Sequence, residues 1–235
     1  MGGERVDDLR FQSDADYLLW LKSEEWYQTI QLGNGFKTSG KQRTDQRIAH
    51  FANIDFRGKS VLDVGCNSGQ YSLFAKKQGA SKVVGIDINA MRINQARVLS
   101  ANENLPIDFR VAGIDCLGEL GKFDIVFCIA VLTEIEDVLG GLRLIRNAIF
   151  EKGFIEMGLS KPCFYLSRNR RWWRGDKQVS MRGRIGEFVR HQHAGWVFYP
   201  SLEIVRDVFS PDFEVNYGGA GLRYDMVYIR KSLSK

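Results

Sequence analysis

The chain has no run of apolar residues approaching the roughly 20 that a membrane-spanning helix needs. Its first residues, MGGERVDDLR, lack the apolar core of a secretory signal. Val6 stands where a myristoylation signal carries Ser or Thr. These absences lead us to expect a cytoplasmic protein with no membrane span. Cysteine is sparse, and Cys66, Cys116, Cys128 and Cys163 form no C-x-x-C pair. Reduced thiols are therefore expected, rather than a disulfide framework. Histidine is scarcer still, at three residues. His191 and His193 find no third and fourth ligand at any spacing, so no metal site is expected. Repeats and low-complexity linkers are missing too. With 235 residues, 44% of them hydrophobic, the chain can bury one large core.

What is present alternates between two periodicities. Residues 1–58 read as a helical leader, with one helix over Asp14–Tyr27 carrying Leu18, Leu19 and Leu21 on its apolar side. Gly33-Asn34-Gly35 marks a turn, and a second helix is expected from about Thr44 to Asn53. Residues 59–235 then read as the main domain. Strands are expected at Ser60–Val64, Lys82–Ile86, Ile107–Val111, Phe123–Ile129 and Phe154–Met157. Helices are expected at Gln70–Gln78, Ala90–Glu103 and Asp137–Ile149. Short apolar strands between helices imply a parallel sheet covered on both faces, with ligands at its carboxyl edge. After Pro200 come a helix (Ser201–Phe209) and two strands (Phe213–Tyr217, Asp225–Ile229) around Gly218-Gly219-Ala220-Gly221. The reading is an α/β fold of seven strands, mostly parallel, with an antiparallel last strand.

The run Val61–Gly69, VLDVGCNSG, carries the chemistry. Val61, Leu62 and Val64 look like a buried strand with Asp63 near its end. Gly65 and Gly69 frame a turn that brings backbone close to a ligand. Asn67 stands where a dinucleotide fingerprint would place its middle glycine, and asparagine tolerates the left-handed conformation. Asp87 ends the next strand, with Ile88 after it, where a carboxylate accepts hydrogen bonds from a ribose diol.

This pair of motifs resembles motifs I and II of the class I S-adenosylmethionine (SAM) methyltransferases, whose fold is a Rossmann-like sheet. The terminal hairpin fits that fold, and the resemblance covers about Lys59 to Arg230. A narrower similarity links Val111–Asp115, Phe123–Phe127, Ala130–Leu132 and Phe198–Ser201 to the tRNA wobble-uridine carboxymethyltransferase family. The leader, with Trp26 and Gly33-Asn34-Gly35, fits as well. The resemblance implies SAM as cofactor, with Gly113, Ile114 and Asp115 flanking adenine and Ile129 and Ala130 beside the methionine part. The chain departs from that family at Thr133, where an aromatic hydroxyl is usual. It also departs in the leader, where Asp45 falls near the expected Lys. These departures favour ordinary SAM and plain methyl transfer.

Between Lys161 and Arg190 lie nine basic residues against Asp176 and Glu187, with Trp172 and Trp173 among them. The chain's formal net charge is +5, so the basicity is local to this stretch. A basic lid at about 160–197 is expected, in which Arg168, Arg170, Arg171 and Arg174 clamp an anionic acceptor and Trp172 stacks on a ring. A solvated loop is the alternative. His191 and His193 are either general bases or packing residues. Glu134 and Glu136 either orient an amine acceptor or are acids at a helix start. Tyr17, Trp20, Trp26 and Tyr27 line a substrate mouth or pack. The expected function is methyl transfer to a small anionic acceptor. An RNA-modifying enzyme and a catalytically silent SAM-fold binding protein are the alternatives.

Overall fold

The computed structural model describes residues 9–33, 35–40, 47–160, 173–174, 177–182, 186–191, 195–220 and 225–232. Two compact units divide the chain, residues 1–113 and 114–235. Paired sheet strands occur in each, three neighbours in the first unit and four in the second.

In the first unit, β1 (Ser60–Val64), β2 (Lys82–Asp87) and β3 (Asp108–Val111) run parallel in that order. Val61, Leu62, Val64, Val83, Val84 and Ile86 are all buried, as strands covered on both faces require. Helix α2 (Gln70–Lys77) follows β1, and α3 (Ala90–Asn102) follows β2 with the Asn89 side chain capping it through the Arg92 N–H. Both helices come within a residue or two of the lengths expected from sequence.

The leader is part of this unit's core. Helix α1 runs from Asp14 to Ser23, capped by Ser13, and stops short of the Tyr27 expected from sequence. Tyr17, Leu21, Trp26, Ile30 and Leu32 form one buried cluster with Leu73 of α2 and Leu99 of α3. Leu19 does not join it and stands 69% exposed. At 100° per residue the stripe through Tyr17 and Leu21 leaves position 19 on the opposite side. Of the four aromatics considered for a substrate mouth, Tyr17 and Trp26 are buried, and Trp20 sits edge-on to Trp26 with ring centroids 5.5 Å apart. Tyr27 is 43% exposed. The second expected leader helix begins outside the described residues; its described end is a single turn, Ala49–Phe51.

In the second unit, α4 (Leu117–Leu120) precedes β4 (Phe123–Ile129), which pairs in parallel with β5 (Ile149–Met157). Helix α5 (Val138–Ala148) joins β4 to β5 and is capped by Asp137, which accepts from the Gly140 N–H at 2.8 Å. Ser201 caps α6 (Leu202–Phe209). Strand β10 (Phe213–Ala220) pairs antiparallel with β11 (Asp225–Lys231), which pairs antiparallel with β5. The last strand of the chain is thus the reversed one, and it lies between β5 and β10 rather than at the edge.

The stretch expected as a basic lid contains sheet structure that its sequence did not announce. Strands β6 (Trp173–Arg174), β7 (Lys177–Arg182), β8 (Gly186–His191) and β9 (Gly195–Pro200) form a second, antiparallel sheet in that order. Ser160, just before the basic stretch, meets the end of β9, since its N–H donates to the Pro200 carbonyl at 3.0 Å. The Tyr199 ring lies over Gly158, where any Cβ would fall 2.3 Å from the ring.

Leader packing has a measurable consequence. Leu21→Ala, at 1% exposure, should cost about 2–5 kcal/mol by cavity formation, whereas exposed Leu19→Ala should cost less than about 0.5 kcal/mol. Urea unfolding of both variants measures the difference, and equal midpoints would show that the leader is not part of the core.

Candidate functional site

The turn after β1 takes the conformation its residues allow. Gly65, Asn67 and Gly69 have φ of +69°, +52° and +86°. Asn67 adopts the left-handed region expected of it, and at Gly69 a Cβ would lie 2.8 Å from the Phe109 ring.

The backbone donors of this turn are all engaged inside the protein. Gly65 and Cys66 donate to the Ile86 carbonyl at 2.8 and 2.9 Å, and Gly69 donates to Cys66 at 2.9 Å. Asn67 donates to Asp87 Oδ2 at 2.9 Å, Ser68 to Asn67 Oδ1 at 2.8 Å, and Gln70 to Gln28 Oε1 at 3.3 Å. A pyrophosphate held at such a turn needs these N–H groups. The geometry therefore disfavours a dinucleotide and suits a ligand without phosphate.

Asp87 closes β2. Its Oδ1 accepts from the Asn89 N–H at 2.8 Å while Oδ2 holds Asn67. A carboxylate offers about four acceptor positions, so capacity remains for a diol. Ile88 is 79% exposed, Met91 50%, and Val111, which faces Asp87 in the β2–β3 register, 50%. This apolar rim beside a carboxylate suits a nucleoside. Gly113 follows β3 in the same unit.

Asp63 lies deeper, buried to 1% exposure. Ser72 Oγ of α2 donates to its Oδ2 at 2.7 Å. Burial pushes the carboxyl up to about 7, the Ser72 bonds oppose this, and the charge of Asp87 adds to it. Asp63 thus fastens α2 to β1.

In the second unit, Ile114 and Asp115 lie in a single 3-10 turn, Asp115 exposed. Ile129 ends β4, and Ala130 has φ of +60°. The Ala130 N–H donates to the Glu156 carbonyl at 2.9 Å, and Thr133 Oγ1 donates to the Ala130 carbonyl at 3.3 Å. A left-handed alanine is strained, and neighbouring bonds must hold it. Glu134 and Glu136 are exposed and precede the α5 cap, so Asp137 serves the helix start in their place. His191 closes β8 and Arg174 closes β6. Arg168, Arg170, Arg171, Trp172 and His193 lie outside the described residues. Among the described residues no group of His, Cys, Asp and Glu is arranged to hold a metal, and no helix is long and apolar enough to cross a membrane.

A cavity of about 620 Å³ opens at the other end of the strands, by Lys82 and Asp108. It lies remote from Asp87. Two of the cations lining it, Lys76 and Arg97, already donate to backbone carbonyls.

Residues 61–153 match the family described as a methyltransferase domain. A tRNA U34 carboxymethyltransferase of Campylobacter hominis is 31% identical over 101 residues, covering 43% of this chain and 35% of that protein. A ubiquinone biosynthesis O-methyltransferase of Neisseria meningitidis is 31% identical over 104 residues, covering 43% and 44%. The matches therefore span less than half the length of these curated relatives. Among solved structures, the N-terminal domain of EvdMO1 in the presence of SAH and D-fucose has a TM-score of 0.69 at 14% identity. That likeness covers 94% of this chain and 98% of that one and shows the fold. The fold expected from sequence is shared with this neighbour, and the partial matches include tRNA-modifying proteins of the kind the sequence resembles.

Gln95, Ser68 and Gln28, not singled out in the sequence, tie the glycine turn to the leader. The available signal was a glutamine on the apolar side of α3, among Ile93, Ala96 and Leu99.

Asp63 generates a pH prediction. Its folded value lies above the unfolded one, so the native state binds more protons and stability falls as pH rises from about 4 to 7. At about 1.4 kcal/mol per unit, the loss reaches at most about 4 kcal/mol. Asp63→Asn retains an acceptor for Ser72 and should flatten this slope. Unfolding midpoints across that pH range test it, and parallel profiles for variant and wild type would contradict it.

Proposed function

We propose that the protein transfers the methyl group of SAM to a small anionic acceptor. The observation that carries the reading is the glycine turn whose N–H groups are all engaged, set against an Asp87 carboxylate with acceptor capacity to spare. Asp87 would hold the ribose, while Ile88, Gly113, Ile114 and Asp115 would take the adenine. Asp63, Gly65, Asn67 and Gly69 would support the methionine end, together with Ile129 and Ala130. When bound, SAM supplies an electrophilic methyl on a sulfonium that departs as a neutral thioether. The chain's own task is then to align the acceptor and exclude water. Where the acceptor atom carries a proton, Glu134, His191 and His193 are the groups proposed to take it. Arg168, Arg170, Arg171 and Arg174 would hold the acceptor's anionic group, and Trp172 its ring.

A second reading, tRNA as the acceptor, is favoured by the tRNA-modifying relatives and by the basic stretch from Lys161 to Arg190. Salt separates the two. An RNA bound through many phosphates loses affinity steeply with ionic strength, with a slope of about 0.7 per phosphate contacted. A small anion does not.

Asp87→Ala should weaken binding of S-adenosylhomocysteine (SAH) by about 1–3 kcal/mol while the chain still folds. Calorimetry giving an unchanged constant in the folded variant would remove the reading's anchor. Arg170→Gln/Arg171→Gln should raise the acceptor KM by about 1.5–3 kcal/mol for each sheltered contact and leave the SAH constant in place. If neither constant moves, the stretch is a solvated surface and the anionic acceptor falls.

A further inference from the structure

Gln95 is 1% exposed on α3, and all four of its hydrogen-bonding positions are filled. Its Nε2 donates to Glu24 Oε2 at 2.7 Å and to the Glu25 carbonyl at 3.1 Å. Its Oε1 accepts from Ser68 Oγ at 2.8 Å and from Arg92 Nη1 at 3.1 Å. Two donors and two acceptor lone pairs are the whole capacity of a glutamine amide, so its orientation is fixed. Arg92 Nη1 also donates to the Glu25 carbonyl at 2.6 Å. On the far side, Ser68 and its neighbour Asn67 lead directly to Asp87. A parallel tie runs from the Gln70 N–H to Gln28 Oε1.

We propose that Gln95 is a positioning residue that joins leader residues Glu24–Gln28 to the glycine turn, making leader docking and cofactor binding one linked equilibrium. The proposal rests on the reading that this turn and Asp87 hold SAM. The amide is suited to the place because it faces a carboxylate with its nitrogen and a hydroxyl with its oxygen. A carboxylate at 95 would stand against Glu24, and an apolar group would strip partners from both Ser68 and Glu24. Linkage then works in both directions: whatever releases the leader weakens the cofactor, and the cofactor secures the leader by the same factor.

The test uses the full chain, with SAH binding measured by calorimetry and amide hydrogen exchange followed over residues 24–28 and 66–70. In the wild type, SAH should slow exchange in both segments. Gln95→Glu should raise the SAH Kd about tenfold, within the usual range of coupling, and speed exchange in both. Glu24→Gln/Gln95→Glu interchanges donor and acceptor, with the amide at 24 donating to the carboxylate at 95. It should recover part of the loss and bind SAH more tightly than Gln95→Glu alone, the Glu25 carbonyl keeping only its bond from Arg92. Glu24→Ala removes one bond at a half-buried position and serves if Gln95→Glu does not fold; it should raise the Kd about threefold.

An unchanged Kd in Gln95→Glu or Glu24→Ala overturns the proposal, as does a double variant no better than Gln95→Glu alone. Exchange that stays at the wild-type rate in residues 24–28 overturns it too. If the wild type itself binds no SAH, the cofactor reading fails. The tie between leader and turn is then judged by exchange alone: faster exchange at residues 66–70 in Glu24→Ala supports it, and unchanged exchange overturns it.

Discussion

The carboxylate of Asp87 joins two turns that the chain would otherwise leave separate. One oxygen holds the Asn67 N–H of the turn after β1, and the other holds the Asn89 N–H at the start of α3. Parallel strands place their carboxyl ends side by side, but they do not by themselves fix the loops that leave those ends. Here a single acidic side chain fixes both. The turn can then keep three left-handed residues in succession of two, and the backbone donors between Gly65 and Gln70 all close on the protein itself. That closure leaves the turn with no spare N–H for a phosphate, and Asp87 is the carboxylate that stands beside it.

Around this joint the first unit is built from the inside out. Buried Asp63 fastens α2 to β1 through Ser72, and the leader closes over α2 and α3 with Leu21, Trp26 and Ile30. Polar and apolar ties therefore serve the same end. The leader's aromatic residues supply burial, while Glu24, Glu25 and Gln28 reach the glycine turn through defined hydrogen bonds. A segment that reads in sequence as an appended cap is, in packing terms, a wall of the unit.

Much of this was legible in the sequence, for identifiable reasons. Strands β1, β2 and β4 are covered on both faces and so appear as nearly unbroken apolar runs, bounded by glycine or an acid. Helices α2 and α3 fell within two residues of their expected ends because Gly69, Gly79 and Asn89 mark them. Leu19 misled because it lies opposite the stripe through Tyr17 and Leu21, on which Leu18 also packs. The sheet formed by β6 to β9 was invisible because the charge of its stretch pointed to a lid or a solvated loop. Gln95 was invisible for a different reason: a polar residue inside an apolar stripe reads as an interruption until its partners, 27 and 71 residues away, are in view. The bond from the Asn67 N–H to Asp87 was likewise not legible, because the sequence places that carboxylate only as an acceptor for a ribose.

The central claim is that the glycine turn with Asp87 serves a nucleoside and offers no spare N–H to a pyrophosphate. Titrating the wild-type chain calorimetrically with SAH and, separately, with NAD tests it most directly. The account predicts saturable one-to-one binding of SAH and no binding of NAD. Binding of NAD at the same site, or tighter than SAH, would contradict it.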